Sequence, residues 1–288
     1  MKNLFMLFLA FLLTGIFACK PAAKEEAAEV KTEAPFVWNP ENFADKKIIR
    51  YQIQGFEKLT LQQKKLVYYL TQAGYSGRDI IWDQMYRHNL PIRHALEKIL
   101  ESYQGDKNAA DWQKFLLYAK NVFFSNGIHH HYSSDKFNPE FSREYFTDLM
   151  NQAGASLSEE ALEAMFNPAV DPKRTNFDSN TDIVKNSAVN FYDPDITEKE
   201  VGDFYKKLID KNDKEPVEYG LNSKLVRGAD GKLSEAPWKV GGMYGDALAE
   251  VVKWLQKAVE VAENEAQANA LKILIEYYQT GDLEKWEA

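Results

Sequence analysis

Apolar positions recur at helical spacing through the first part of this chain, give way to strand-like runs, and return to helical spacing near the end. Thr60-Leu-Gln-Gln63 has the form of a capping box, and Leu66, Tyr69, Leu70 and Ala73 follow at spacings of three and four, so a helix is expected there until Gly74 stops it. Ser76 with Asp79 opens a second helix through Ile80, Ile81, Trp82 and Met85. Asn89 with Pro91 in the first turn opens a third, with Leu96, Ile99, Leu100 and Tyr103 on its inner side. Asn108 caps a fourth, which turns Trp112, Phe115, Leu116, Ala119, Val122 and Phe123 inward and ends at Gly127. Ser142 to Gly154 and Ser158 to Phe166 give two more, and Pro168 to Asp182 reads as a polar loop.

From Lys185 the period changes. Ser187 to Tyr192 and Val217 to Val226 look like strands, and Gly228-Ala-Asp-Gly231 supplies turn chemistry for a hairpin returning through Lys232 to Val240. Between them Thr197-Glu-Lys-Glu200 caps a helix carrying Val201, Phe204, Tyr205 and Leu208. Gly241, Gly242 and Gly245 punctuate the exit from the hairpin, a turn rather than a phosphate loop because the Lys-Ser/Thr ending is missing. Asp246 to Tyr278 then holds a stripe of Leu248, Val252, Leu255, Val259, Ala262, Ala270, Leu274 and Tyr277, one helix or two with a break near Asn264. The expected class is α+β, predominantly helical, with a small sheet late in the chain.

At 288 residues, 45% of them hydrophobic, the chain can bury a sizeable core. A formal net charge of -8 with both signs mixed along the sequence excludes the basic footprint of a nucleic-acid binder. Residues 1–18 read as a signal peptide, with Lys2 before an apolar run from Leu4 to Phe17. Ile16-Phe17-Ala18-Cys19 looks like a bacterial lipoprotein cleavage box, so Cys19 is the expected lipidation site; the alternative is a plain signal peptide with an incidental cysteine. Cys19 is the single cysteine, which rules out an intramolecular disulfide and a Cys-based zinc site. Residues 19–35 form a lipidated cysteine and a flexible tether of mostly Ala, Glu, Lys, Pro, Val and Thr, too polar to fold alone. The expected location is therefore exported, as a periplasmic or outer-membrane-anchored lipoprotein.

Three of the five histidines stand together in Phe123-Phe-Ser-Asn-Gly-Ile-His-His-His-Tyr132. Adjacent residues alternate faces in a strand and fan out by about 100° in a helix, so three consecutive imidazoles do not readily converge on one ion. A polar cleft wall suits their donor and acceptor chemistry better, with a solvated loop as the alternative. In Tyr86-Arg-His-Asn89, His88 reads as a capping or buried hydrogen-bonded histidine rather than a base, and His94 as a surface residue. The sequence holds no His-Glu-x-x-His, no Walker loop and no Gly-x-Ser-x-Gly elbow, so these residues present no catalytic or metal-ligating set.

Several blocks resemble the N-terminal part of bacterial dipeptidyl peptidase III, in order, over residues 36–288. They are Lys47 to Ile53, Leu59 to Gly74, Ser76 to Asp83, Phe124 to Tyr132, Glu218 to Leu225 and Trp238 to Tyr244. The likeness is greatest to exported forms from Bacteroides-type bacteria. The resemblance implies a two-lobed zinc exopeptidase that releases dipeptides from the N-terminus of oligopeptides. In that family the upper lobe carries zinc on a His-Glu-x-x-Gly-His helix, and the lower lobe holds the peptide extended against a sheet edge. Residues 36–288 would form most of the lower lobe, truncated before the zinc-binding lobe, so this chain alone is expected to bind no zinc and to be inactive without its missing C-terminal lobe. The implied partners are an oligopeptide substrate and a lipid anchor, and the carried-over substrate contacts are His131 and Tyr132. The alternative is a stand-alone peptide-binding lipoprotein that has lost the catalytic lobe.

Overall fold

The structure is a computed structural model describing residues 35–287. The signal segment, Cys19 and all of the tether but Pro35 lie outside the described residues. The folded body begins at Asn39. Its first element is a hairpin that the sequence pattern did not reveal, β1 (Glu41–Phe43) and β2 (Lys46–Ile48), whose three-residue strands are too short to show a period. The expected small sheet late in the chain is therefore joined by an early one.

The helices follow their caps. α1 (Leu61–Ser76) starts on the Thr60/Gln63 capping box, but Gly74 does not stop it. No tertiary clash or αL geometry attends that glycine, so the helix continues to Ser76. Ser76 then bonds back to the Gln72 carbonyl instead of capping, and α2 (Arg78–Met85) begins after Gly77 with no side-chain cap. α3 (Asn89–Ser102) and α4 (Ala110–Ser125) follow; Asn108 is not the α4 cap, because its amide is held in a turn by Asp106. α5 (Arg143–Ala153) and α6 (Glu159–Phe166) are capped by Ser142 and Ser158, each accepting from the third residue on. α7 (Glu198–Tyr205) has its Thr197/Glu200 capping box. Asn264 caps the second of the two terminal helices, so the stripe divides into α8 (Gly245–Val259) and α9 (Glu265–Thr280), followed by α10 (Leu283–Glu287). Among the described residues no helix is long and apolar enough to cross a membrane.

Two cores result. The larger joins α2 to α6 around Phe115, Phe146, Ile92, Leu96 and Ile99, all essentially inaccessible to water. Its aromatic side continues through Tyr103 stacked on Trp112 at 3.6 Å and Phe141 edge-on to Phe115 at 5.7 Å. Each such side chain contributes about 1.5–3 kcal/mol of burial. The smaller core packs α1 on α8 and α9 through Ala73, Val251, Val252, Leu255 and Ile275.

The ends of three helices meet at Asn89. Its Nδ2 donates to the carbonyls of Trp82 (3.1 Å) and Asn126 (3.3 Å), and its Oδ1 accepts from the Ile128 amide (3.0 Å). One side chain thus fastens the end of α2, the start of α3 and the exit from α4. Gly127 is required beside it, since a Cβ there would fall 2.1 Å from Asn89 Nδ2.

β3 (Ser223–Arg227) and β4 (Leu233–Pro237) form the expected hairpin around Gly228 to Gly231. The strand expected at residues 187–192 does not form: the chain turns at 190–191, and among the described residues the segment bridges β3 only at Tyr192 and Leu225. The strand expected from Val217 starts at Ser223, because residues 217–221 are spent on turns. Asn89→Ala should cost about 3 kcal/mol in urea unfolding, since it removes three hydrogen bonds and leaves the Ile128 amide and the Asn126 carbonyl unpaired at the exit from α4; a loss under about 1 kcal/mol would show that the helix ends hold without it.

Candidate functional site

Extended segments from distant parts of the chain lie side by side and build one wall. Residues 128–130 fold back on 135–137 through Phe137 N to Ile128 O (2.8 Å) and His130 N to Asp135 O (2.7 Å). Residues 172–174 pair next, through the Asp135 to Lys173 bridge and Arg174 N to Ser134 O. Residues 188–193 follow, with Ala188 N donating to Lys173 O and Val189 N to Arg174 O. They pass the contact to β3 through Leu225 N to Phe191 O (2.9 Å) and Asp193 N to Leu225 O (3.0 Å), and β4 closes the series.

The outer edge of β4 is open. Trp238 N bonds Asn222 O and Gly228 N bonds Lys232 O, which sets the hydrogen-bonded rungs of the hairpin. Antiparallel rungs alternate, so Leu225 and Arg227 turn their backbone groups away from β4, and Leu233 and Glu235 turn theirs away from β3. Leu225 uses its groups on the 188–193 segment. The groups of Leu233 and Glu235 meet no partner among the described residues. Pro237 ends the edge: it has no amide hydrogen, and its carbonyl accepts from Met243.

The opposite border is the histidine loop. His129 is buried, with Nε2 2.9 Å from the Asp171 carbonyl. A carbonyl only accepts, so Nε2 carries the proton and Nδ1 is left buried without a partner. Burial holds the His129 pKa down to about 4. The same Asp171 accepts from Tyr86 Oη at 2.6 Å, and burial followed by this carboxylate pushes the phenol far above its usual range. Lys136, also buried, donates to the carbonyls of Asn167 and Val170 just past the end of α6. His130 stacks on His131 at 4.5 Å and approaches Asp45, while His131 lies edge-on to Phe124 and near Ser125 Oγ. Tyr132 is 85% exposed beside it.

The structure thus brings His131 and Tyr132 to one border of the wall and leaves that border about 24 Å, five strand spacings, from β4. The imidazoles point to different partners, and among the described residues no three His, Cys, Asp or Glu side chains are grouped to hold a metal. His88 is buried, but its Nε2 has no partner, and it meets Tyr86 edge-on at 5.1 Å rather than capping α3. His94 is exposed, as its charged neighbours suggested.

Sequence reasoning passed over the groups that tie the wall to the helices. Asp83 accepts from Tyr244 Oη (2.6 Å) and Asn190 Nδ2 (3.0 Å), and Asn190 Oδ1 accepts from Lys224 Nζ (2.9 Å). Lys224 also pairs with Asp193 at 3.0 Å. Asp171, which joins His129, Tyr86 and Arg87, sits in a stretch read only as a polar loop. These contacts span tens of residues and leave no local pattern.

No family model matches the chain, and no curated protein matches it. Among solved structures the chain is similar to that of DPP III from Caldithrix abyssi, at 20% identity and a TM-score of 0.49, over 82% of this chain and 33% of that one. The chain spans about a third of the length of that structure.

The His129 geometry predicts acid sensitivity. Its ordinary pKa is 6.5 and its folded one about 4, so between these values the unfolded chain binds more protons than the fold. The associated stability is complete above about pH 6.5 and is lost as pH falls through about 4, some ~3 kcal/mol in all. His129→Gln, which keeps a donor for Asp171, should flatten the dependence of unfolding free energy on pH in that window by about one proton; an unchanged slope would mean another group carries it.

Proposed function

We propose that this chain is a peptide-binding lobe of the dipeptidyl peptidase III type, which holds an oligopeptide in extended form as an added strand on β4. The unpaired backbone groups of Leu233 and Glu235 carry this reading. They offer two rungs of main-chain hydrogen bonds, the interaction by which sheet edges take up peptides whatever their sequence. The resemblance supports it, because the blocks Glu218 to Leu225 and Trp238 to Tyr244 flank this hairpin. The network of Asp83, Asn190, Lys224 and Tyr244 holds the hairpin against α2 and α8, so the edge is presented by rigid neighbours. His131 and Tyr132 extend the same wall at its far border as contacts for a longer or differently placed peptide.

Zinc hydrolysis belongs to the complete enzyme that the resemblance implies, and the part proposed for this chain is to hold the peptide. Dipeptide release from oligopeptides is proposed for a whole enzyme of which this lobe is a part. Export and lipid attachment at Cys19 complete the proposal, placing the lobe at a membrane surface outside the cytoplasm.

Titration of the isotope-labelled chain with a pentapeptide bearing a free N-terminus should shift the Leu233 and Glu235 amide resonances saturably, with little change in Tyr132→Ala. Binding abolished by Tyr132→Ala with the β4 amides unmoved would place the peptide on the histidine border and overturn the edge reading. Mass spectrometry of the membrane fraction should find a diacylglycerol-modified Cys19 at the mature terminus, lost in Cys19→Ser; an unmodified mature cysteine would refute the anchor.

A further inference from the structure

Between β4 and α7 lies a half-open groove of about 510 Å³. Glu200, Asp203 and Phe204 of α7, with Lys207 just past its end, form one side at the three- and four-residue spacing of a single helical face. Lys232 and Leu233 form the other. No residue of β3 lines the groove, so it opens on the side of the hairpin to which Leu233 and Glu235 turn their free backbone groups.

Residues directly opposite one another in β3 and β4 share a face, so Leu225, Arg227, Leu233 and Glu235 point to the same side. Arg227 Nη2 donates to Glu200 at 2.9 Å and Tyr205 Oη to Glu235 at 3.3 Å, so that side is the one α7 covers, and the helix runs along β4 from Leu233 toward Glu235. The cover is incomplete. No residue of α7 is buried, and Phe204 and Leu233 are each half-buried where they line the groove. Charges at the rim are largely answered within the chain: Glu200 by Arg227, Asp203 by Lys199 at 2.5 Å and Lys232 by Asp230 at 3.3 Å, while Lys207 stands exposed at one end.

We propose that this groove is the side-chain pocket of the peptide site and selects a large aliphatic or aromatic residue opposite Leu233, a reading that rests on β4 as the peptide edge. A strand hydrogen-bonded to Leu233 and Glu235 sets the residues opposite them on the α7 face and turns the residue between them away. Only alternate side chains of the peptide can therefore reach the helix: the main chain supplies the hold and the groove supplies the choice. An apolar side chain there would cover Phe204 and Leu233 from water, whereas lysine would bring a further positive charge beside Lys207 and Lys232.

Three pentapeptides of alanine, with leucine, alanine or lysine at the centre, separate the pocket from the edge when titrated against the isotope-labelled full chain. All three should shift the Leu233 and Glu235 amides. The leucine peptide should bind about five- to tenfold more tightly than the alanine one, as partial burial of the larger side chain gives, and more tightly than the lysine one. In Phe204→Ala the leucine advantage should fall below about twofold while the β4 amides still respond. Should that variant fail to fold, Lys207→Glu decides, because its position is exposed: the lysine peptide should gain on the leucine one by about two- to fivefold, and an unchanged ranking would overturn the proposal. Shifts at Leu233 and Glu235 with equal affinities for the three peptides, or a leucine advantage that survives Phe204→Ala, would overturn the pocket and leave the edge standing. No shift at β4 with any of them would overturn both.

Discussion

A single buried amide, Asn89, decides how the larger core is joined to the polar surface. Helix ends carry unpaired backbone groups, and three of them converge in a region from which water is excluded. Asn suits the position because one side chain offers both an acceptor and two donors, and here the acceptor and the donor nitrogen answer Ile128, Trp82 and Asn126 together. Leucine would leave the Ile128 amide and the Asn126 carbonyl without a partner, and alanine would leave them so beside an unfilled space. The close approach of Gly127 follows from the same contact, and with it the direction in which the chain leaves α4. His129 enters the interior two residues later and the wall begins.

From that point the wall depends on backbone pairing between segments that are far apart in sequence. The chain passes from the histidine loop to residues 172–174, then to 188–193 and to β3, each step made by two or so hydrogen bonds rather than by a long ladder. Short rungs of this kind are weak individually, and side chains reinforce them: Asp171 ties the loop to Tyr86 and Arg87, and Lys224 ties β3 to Asn190 and Asp193. The series stops at β4 because no further segment of the described chain bonds to its outer edge, and Pro237 ends the strand. An open edge is a liability in most proteins, and these rungs are short enough to limit it.

The helical part of this architecture was legible because caps are local. Thr60, Ser142, Ser158, Thr197 and Asn264 each bond an amide three residues on, and the residue types announce it. Asn108 and Ser76 carry the same chemistry and failed as markers, since a nearby turn or the preceding helix claimed their groups first. Asn89 looked like a cap and proved to be a fastener across 39 residues. Residues 187–192 did not form the strand that their β-branched and aromatic content suggested: the chain turns at 190–191, and the partners that would make a ladder lie on irregular loops, so regular pairing did not develop. The β4 edge is set by register, which depends on both strands at once and so had no signature in either.

Hydrogen exchange at the late hairpin tests the structural basis of peptide uptake most directly, because it reads each backbone amide separately without any ligand. Val226, Ser234, Lys224 and Ala236 lie on the bonded rungs and Leu225 on the inner edge, so their amides should be protected, while Leu233 and Glu235 exchange at rates near those of an open chain. Strong protection of Leu233 and Glu235 in the free chain would contradict this view, since the edge would then already be occupied.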